Sequence, residues 1–332
     1  MYKNIVRSNN PKDIILIFGI ILLFVFSPFY SQLNTGGIGL ALTYNIPTWT
    51  VASWIIMIGV LFSIESARFV YPPIWLYILV FPFIVFAGSF MAEVSQPIAW
   101  LFRQFYLLGG VLFLFALFQF QSKQVTLDRI LFILVIATGL HALLGTMQIV
   151  APSYLPSYFP INADLVPRGM FQQINVQASF LATGLIVSLY LISRPSFRFT
   201  NRAVQFIVVI AFILALYIVV ASGSRIGLLS LIVGFPLVVW SRFHQLKRHK
   251  VMLIILLLGS CGSFIAGQAG LHKTLDKSMK LTEQSYSTAR IAMYSIGMEL
   301  VAKEPIYGYG IGGFLKAWNL QASDFVSRHP EA

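Results

Sequence analysis

Long apolar runs separated by short polar connections occupy the chain as far as about residue 267. The runs at 14–30, 50–64, 74–91, 99–120, 130–150, 174–193, 204–222, 225–241 and 251–267 read as helices. A helix needs about 20 apolar residues to cross hydrocarbon, where only its own hydrogen bonds can satisfy the backbone. The pattern therefore predicts an all-α, polytopic membrane helix bundle of about nine spans over residues 1–267. From Gln268 the character changes. Residues 268–332 carry Arg290, Glu299, Lys303, Glu304, Lys316, Asp324, Arg328 and His329, and form the one long polar lobe. Within it, Ser287-Thr288 precedes a helical pattern over about 289–302, with Arg290 in its first turn and Pro305 at its end.

Composition agrees with this reading: 58% of the residues are hydrophobic and 10% charged, against about 25% charged in soluble domains. A formal net charge of +12 raises nucleic acid as a partner, but the basic residues are scattered over short loops rather than gathered on one face, which argues against it. Membrane orientation accounts for them instead. With the N-terminus in the cytoplasm, the inside loops hold Lys3, Arg7, Lys12, Arg68, Lys123, Arg129, Arg194, Arg198, Arg202, Arg242, Lys247, Arg248 and Lys250. The short outside loops hold only Arg168, with Arg103 and Arg225 at span ends, as the positive-inside rule requires. The polar lobe then lies outside the cytoplasm. The basic start followed by an apolar run from Ile14 resembles a signal peptide, but no small-residue cleavage site follows, so it is read as an uncleaved first span. The single cysteine, Cys261, is expected to be a small core residue.

The candidate chemistry lies on the outer face. Arg103, Arg168, Arg225, Arg290 and Arg328 all map there, where basic residues oppose insertion, so an anion is the expected partner of some of them. The alternative is that they snorkel to lipid headgroups. Residues 152–173, with four prolines, read as an extended loop that leads to Gln173, Asn175 and Gln177 at the mouth of a span. Those amides suit sugar hydroxyls or a pyrophosphate, or else a helix cap and helix–helix hydrogen bonds. In Ser222-Gly-Ser-Arg-Ile-Gly, a cation stands at a helix N-terminus, which is unfavourable unless an anion bridges the two. A turn whose arginine reaches headgroups is the other reading. Gly308-Tyr-Gly-Ile-Gly-Gly-Phe lacks the βαβ context of a dinucleotide loop, and its glycines are expected to turn the backbone toward the membrane surface. The mid-span His141 is expected to bond a neighbouring helix.

Three of these pieces, in this order, resemble a known family. Arg168-Gly-Met-Phe-Gln-Gln-Ile-Asn-Val-Gln-Ala is similar to the G-x-x-x-Q-x-N-x-x-A segment of bacterial protein O-oligosaccharyltransferases, the pilin and general O-glycosylation ligases. Ser222-Gly-Ser-Arg-Ile-Gly resembles the S-x-S-R-x-G segment they share with O-antigen ligases and polymerases. Arg290 followed by Glu304-Pro-Ile-Tyr-Gly-Tyr-Gly-Ile-Gly-Gly-Phe resembles the R…P-x-x-G-x-G-x-x-F start of their large periplasmic loop. Arg328-His329 looks like the beginning of their late histidine motif, so a C-terminally truncated chain is expected.

The resemblance implies transfer of a glycan from a polyprenyl diphosphate carrier to an acceptor hydroxyl at the periplasmic face of the bacterial inner membrane. The acceptor would be a Ser or Thr of a pilin-like protein, or lipid A core. It further implies Arg225 and Arg290 on the leaving diphosphate, Arg168 beside them, His329 as the base, and Gln173 and Asn175 on glycan or diphosphate. No cofactor is implied, and no Asp/Glu/His cluster with metal-ligand spacing faces outward. The alternatives are an O-antigen ligase or polymerase, a transporter of lipid-linked glycans, and an inactive remnant. A transporter calls for polar groups at mid-membrane depth on several spans, whereas here they cluster at one face.

Overall fold

The computed structural model describes residues 10–29, 45–92, 97–160, 166–171, 173–270, 272 and 284–328. Every regular element among them is helical. In chain order these are α1 (Pro11–Ile21, continued by a π turn and a 3-10 turn to Phe29), α2 (Asn45–Glu65), α3 (Trp75–Met91), α4 (Pro97–Gln119), α5 (Gln124–Val150), α6 (Ile174–Ser193), α7 (Arg202–Ala221), α8 (Arg225–Leu246), α9 (Lys250–Ala266), α10 (Gln284–Lys303) and α11 (Phe314–Arg328). The chain is a polytopic, multi-pass membrane protein.

Among the described residues, seven segments are long and apolar enough to cross a membrane. That count leaves out α3, which is apolar but shorter, and treats Arg225–Ala266 as one segment. The expected nine spans count α3 as a span and divide the last segment at the Lys247–His249 3-10 turn. Large apolar side chains such as Trp240, Phe83 and Ile232 are exposed, as lipid-facing positions are. Cys261 is also exposed on α9, which corrects its expected place in a core. On a wholly apolar helix, hydropathy does not tell the packed side from the lipid side.

The chain forms two compact units, Met1–Trp54 with Ser122–Asp276 and Ile55–Gln121 with Lys277–Ala332. In the first, α5 packs on α6 and α7, α6 on α7 and α8, and α7 on α9. Val135, Leu181, Leu185, Ile192, Val208 and Leu216 fill the core. Lipid tails are as apolar as these side chains, so helix association in a bilayer depends on close van der Waals packing through small residues. Gly184 is such a point: a Cβ there would lie 2.0 Å from Thr138 Oγ1 of α5. Asn201 starts α7 by accepting from the Ala203 amide at 3.0 Å. Near the C-terminal end of α6, Arg194 pairs with Asp128 at 3.4 Å, and the Arg242 guanidinium lies 4.9 Å from the Tyr190 ring centre.

In the second unit α3 packs on α4, and α10 on α11 around Ile296, Leu300 and Phe325. Gln119 of α4 ties the chain ahead of α3, accepting from the Val70 amide at 3.0 Å and donating to its carbonyl at 2.6 Å. Helix α10 starts at Gln284, five residues before the expected Ala289, so Arg290 sits in its second turn rather than its first. No Gly or Pro lies between Gln284 and Ala289 to end the helix there.

Candidate functional site

In the first unit the site is built where α5 ends, α6 begins and α7 turns into α8. The connection between α5 and α6 is held by one buried amide. Gln148, in the last turn of α5, accepts from the backbone N–H groups of Arg168 and Gly169, both at 2.9 Å. Its Nε2 donates to the carbonyls of Pro160 at 2.7 Å and Gly169 at 2.9 Å. Gly169 has φ +57°, the left-handed region that favours glycine. It also lies against α5 and α6: a Cβ at Gly169 would be 2.9 Å from Gln177 Nε2 and 3.3 Å from His141 Nδ1. His141 is fully buried among the rings of Phe29, Phe171 and Phe180, with centroid distances of 4.7, 4.8 and 5.2 Å. The Gln177 amide donates to the His141 carbonyl at 3.5 Å, so helix–helix bonding at this histidine runs through its backbone.

The connection between α7 and α8 is a tight turn with Gly223 at φ +64°. Ser222 Oγ donates to the Val219 carbonyl at 2.8 Å, and Ser224 is the N-cap of α8. The Ser224 hydroxyl accepts from the Gly227 amide at 3.2 Å and donates to Asn175 Oδ1 on α6 at 3.0 Å. One turn further on the two helices touch, because a Cβ at Gly227 would lie 2.7 Å from that of Ala178. Four motif positions, Asn175, Ala178, Ser224 and Gly227, thus interlock α6 with α8.

Arg225 occupies the first position of α8, beside the helix's unsatisfied N–H groups. Its guanidinium makes no hydrogen bond or ion pair among the described residues. Gln173 is the N-cap of α6 by position, but its side chain makes no cap hydrogen bond and is exposed. Arg168, Gln173, Asn175 and Arg225 therefore belong to one end of one unit.

Arg290 and His329 belong to the second unit. The side chain of Arg290 and the whole of His329 lie outside the described residues. The glycine loop between α10 and α11 has Gly308, Gly310 and Gly312 at φ +60°, +65° and +94°. It docks on the apolar helices of its own unit: the Ile311 amide donates to Ser89 Oγ at 3.3 Å, and Gln104 Nε2 donates to the same oxygen at 3.3 Å. A Cβ at Gly312 would lie 3.3 Å from Arg103 Cδ, so the loop backbone rests on that arginine.

Arg328 is committed elsewhere, which removes it from the arginines expected to meet an anion. Its Nη2 pairs with Glu299 at 2.7 Å and with Asp324 at 3.1 Å. Gln321 also donates to Glu299 and accepts from Lys303. The hydrogen bond from Arg328, with its positive charge and that of Lys303, holds the Glu299 carboxyl below its ordinary value.

Residues 210–331 match the family described as O-antigen ligase, and residues 167–192 match that described as protein glycosylation ligase. Together these matches support an O-antigen ligase superfamily protein. No curated protein and no solved structure matches it significantly. Both families indicate a glycosyl ligase or transferase activity. The shorter match covers the Arg168 loop and nearly all of α6, while the longer one includes the Ser222–Gly227 turn and the glycine loop. The Asn175–Ser224 hydrogen bond joins the two matched segments. Sequence reading missed Gln148, whose partners are all backbone groups supplied by the folded loop.

Proposed function

We propose that this ligase takes a glycan from a polyprenyl diphosphate carrier and transfers it to a Ser or Thr hydroxyl of a periplasmic protein such as pilin. The observation that carries the reading is the Asn175–Ser224 junction, which sets the segment matched to protein glycosylation ligases against the turn that presents Arg225. A cation with no described partner, at the positive end of a helix, suits a diphosphate: the helix N–H groups and the guanidinium can share its oxygens.

In the reaction the acceptor oxygen attacks C1 of the first sugar. The C1–O bond to the carrier breaks, and its electron pair leaves on the diphosphate. The hydroxyl proton passes to His329 as general base. Negative charge grows on the phosphate oxygens as that bond lengthens, so Arg225 and Arg290 stabilise the transition state more than the bound donor. Arg168, Gln173 and Asn175 hold the glycan and diphosphate. The asymmetry of basic loops supports an inner-membrane orientation with a cytoplasmic N-terminus. Residues 1–267 then form the bundle and 268–332 lie on the periplasmic side.

A second reading, transfer to lipid A core, is favoured by the longer match, which is to O-antigen ligases. Reconstitution of the protein in liposomes with a polyprenyl diphosphate glycan separates the two. The proposal expects glycan on pilin, with the corresponding polyprenyl monophosphate glycan a poor donor. Glycan on lipid A core with none on pilin replaces the acceptor. Equal use of the monophosphate donor overturns the role given to the arginines.

A further inference from the structure

We propose that Gln148 is a positioning residue for Arg168, setting the backbone from which that guanidinium reaches the donor. The inference rests on the reading of Arg168 as a substrate contact. Gln148 is buried at the end of α5, and its amide uses both ends on the loop: Oε1 receives the N–H groups of residues 168 and 169, and Nε2 reaches the carbonyls of residues 160 and 169. Four backbone groups on either side of Arg168 thus end on one side chain. Two of them belong to Gly169, whose left-handed conformation and contact with Gln177 leave no room for a side chain.

A glutamine that only filled a helix end would not need this arrangement. Its bonds go to backbone, so they fix the path of the loop whatever its side chains are. The peptide preceding Gly169 is anchored at its nitrogen, and Arg168 is anchored at its own. Misplacing a binding group by about 1 Å can cost on the order of a hundredfold in rate, so a clamp of this kind acts on substrate through the residue it holds.

Two readouts test the inference. Hydrogen exchange on the purified protein is expected to show protected amides at Arg168 and Gly169. Gln148→Ala exposes those two while Leu181–Leu189 of α6 keep their protection. In the transfer assay, Gln148→Ala and Arg168→Ala each raise KM for the lipid-linked donor roughly tenfold or more, with a smaller change in kcat. The double variant is no worse than Arg168→Ala alone, because both act through one guanidinium. Amides at 168 and 169 that stay protected in Gln148→Ala, or a double variant whose loss is the product of the two, overturn the inference. If Arg168→Ala transfers like the unaltered protein, the reading of Arg168 fails and the effect of Gln148 on substrate with it. If Arg168→Ala is impaired and Gln148→Ala is not, the positioning role alone fails.

Discussion

The Ser224 hydroxyl donates to Asn175 Oδ1 at 3.0 Å while accepting from the Gly227 amide at 3.2 Å, so a single side chain caps α8 and ties it to the first turn of α6. Losing this hydroxyl removes a cap and an interhelical bond together. Ser224→Ala is expected to lower stability by about 1–2 kcal/mol, read from thermal unfolding in detergent.

Asn175 separates structure from ligand. Asn175→Asp keeps the acceptor for Ser224, so its unfolding midpoint stays near that of the unaltered protein. A carboxylate near the proposed diphosphate site repels the donor, and transfer is expected to fall more than tenfold, in the range of a 1.4 kcal/mol or larger loss. Asn175→Asp with unchanged transfer places Asn175 in the scaffold only.

The contact of Gly227 with Ala178 makes a steric prediction. Gly227→Ala brings two Cβ atoms to 2.7 Å, closer than real side chains approach, and α8 has to shift from α6. A cost of about 1–3 kcal/mol is expected. Adding Ala178→Gly restores the space, and the double variant recovers most of the thermal stability. Absence of recovery means that Gly227 matters for something other than this contact.

How far the fold could be read beforehand depended on how local each signal was. Helix α6 lies at 174–193 as its apolar run indicates, because Pro167 and Gly169 stop structure on one side and Arg194-Pro195 on the other. The N-terminal start of α10 was misread since Ser287-Thr288 suits a cap and a helix interior alike. At the site, Arg225 was legible because its conflict with a helix N-terminus is local. Gln148 was not, since its four partners come from a loop up to 21 residues away in sequence. Asn175 left two readings open, and the fold adds a partner, Ser224, that sequence spacing could not supply. Membrane runs also merge: no charge gradient separates α8 from α9 except the short basic turn at Lys247–His249.

The Glu299–Arg328 pair gives α10 and α11 an acid limit. Its folded carboxyl titrates below the ordinary value, chiefly through the hydrogen bond from Arg328. The contribution is therefore complete above the unfolded pKa of about 4.3 and is lost as pH falls through the lower folded value. Protease cleavage of the α10–α11 segment is expected to rise on acidification below that point. Glu299→Gln raises cleavage at neutral pH and flattens the acid dependence; an equally steep acid response in that variant assigns the effect to another group.

Arg225 bears the central claim most directly, because no described residue makes a hydrogen bond or ion pair with its guanidinium. The decisive measurement is the mass of pilin from cells that make a polyprenyl diphosphate glycan, with unaltered protein, Arg225→Lys and Arg225→Ala at equal membrane abundance. The account predicts glycosylated pilin with the unaltered protein, reduced transfer with the lysine, which keeps the charge but not the fork, and none with the alanine. Pilin glycosylated as fully by Arg225→Ala as by the unaltered protein contradicts it.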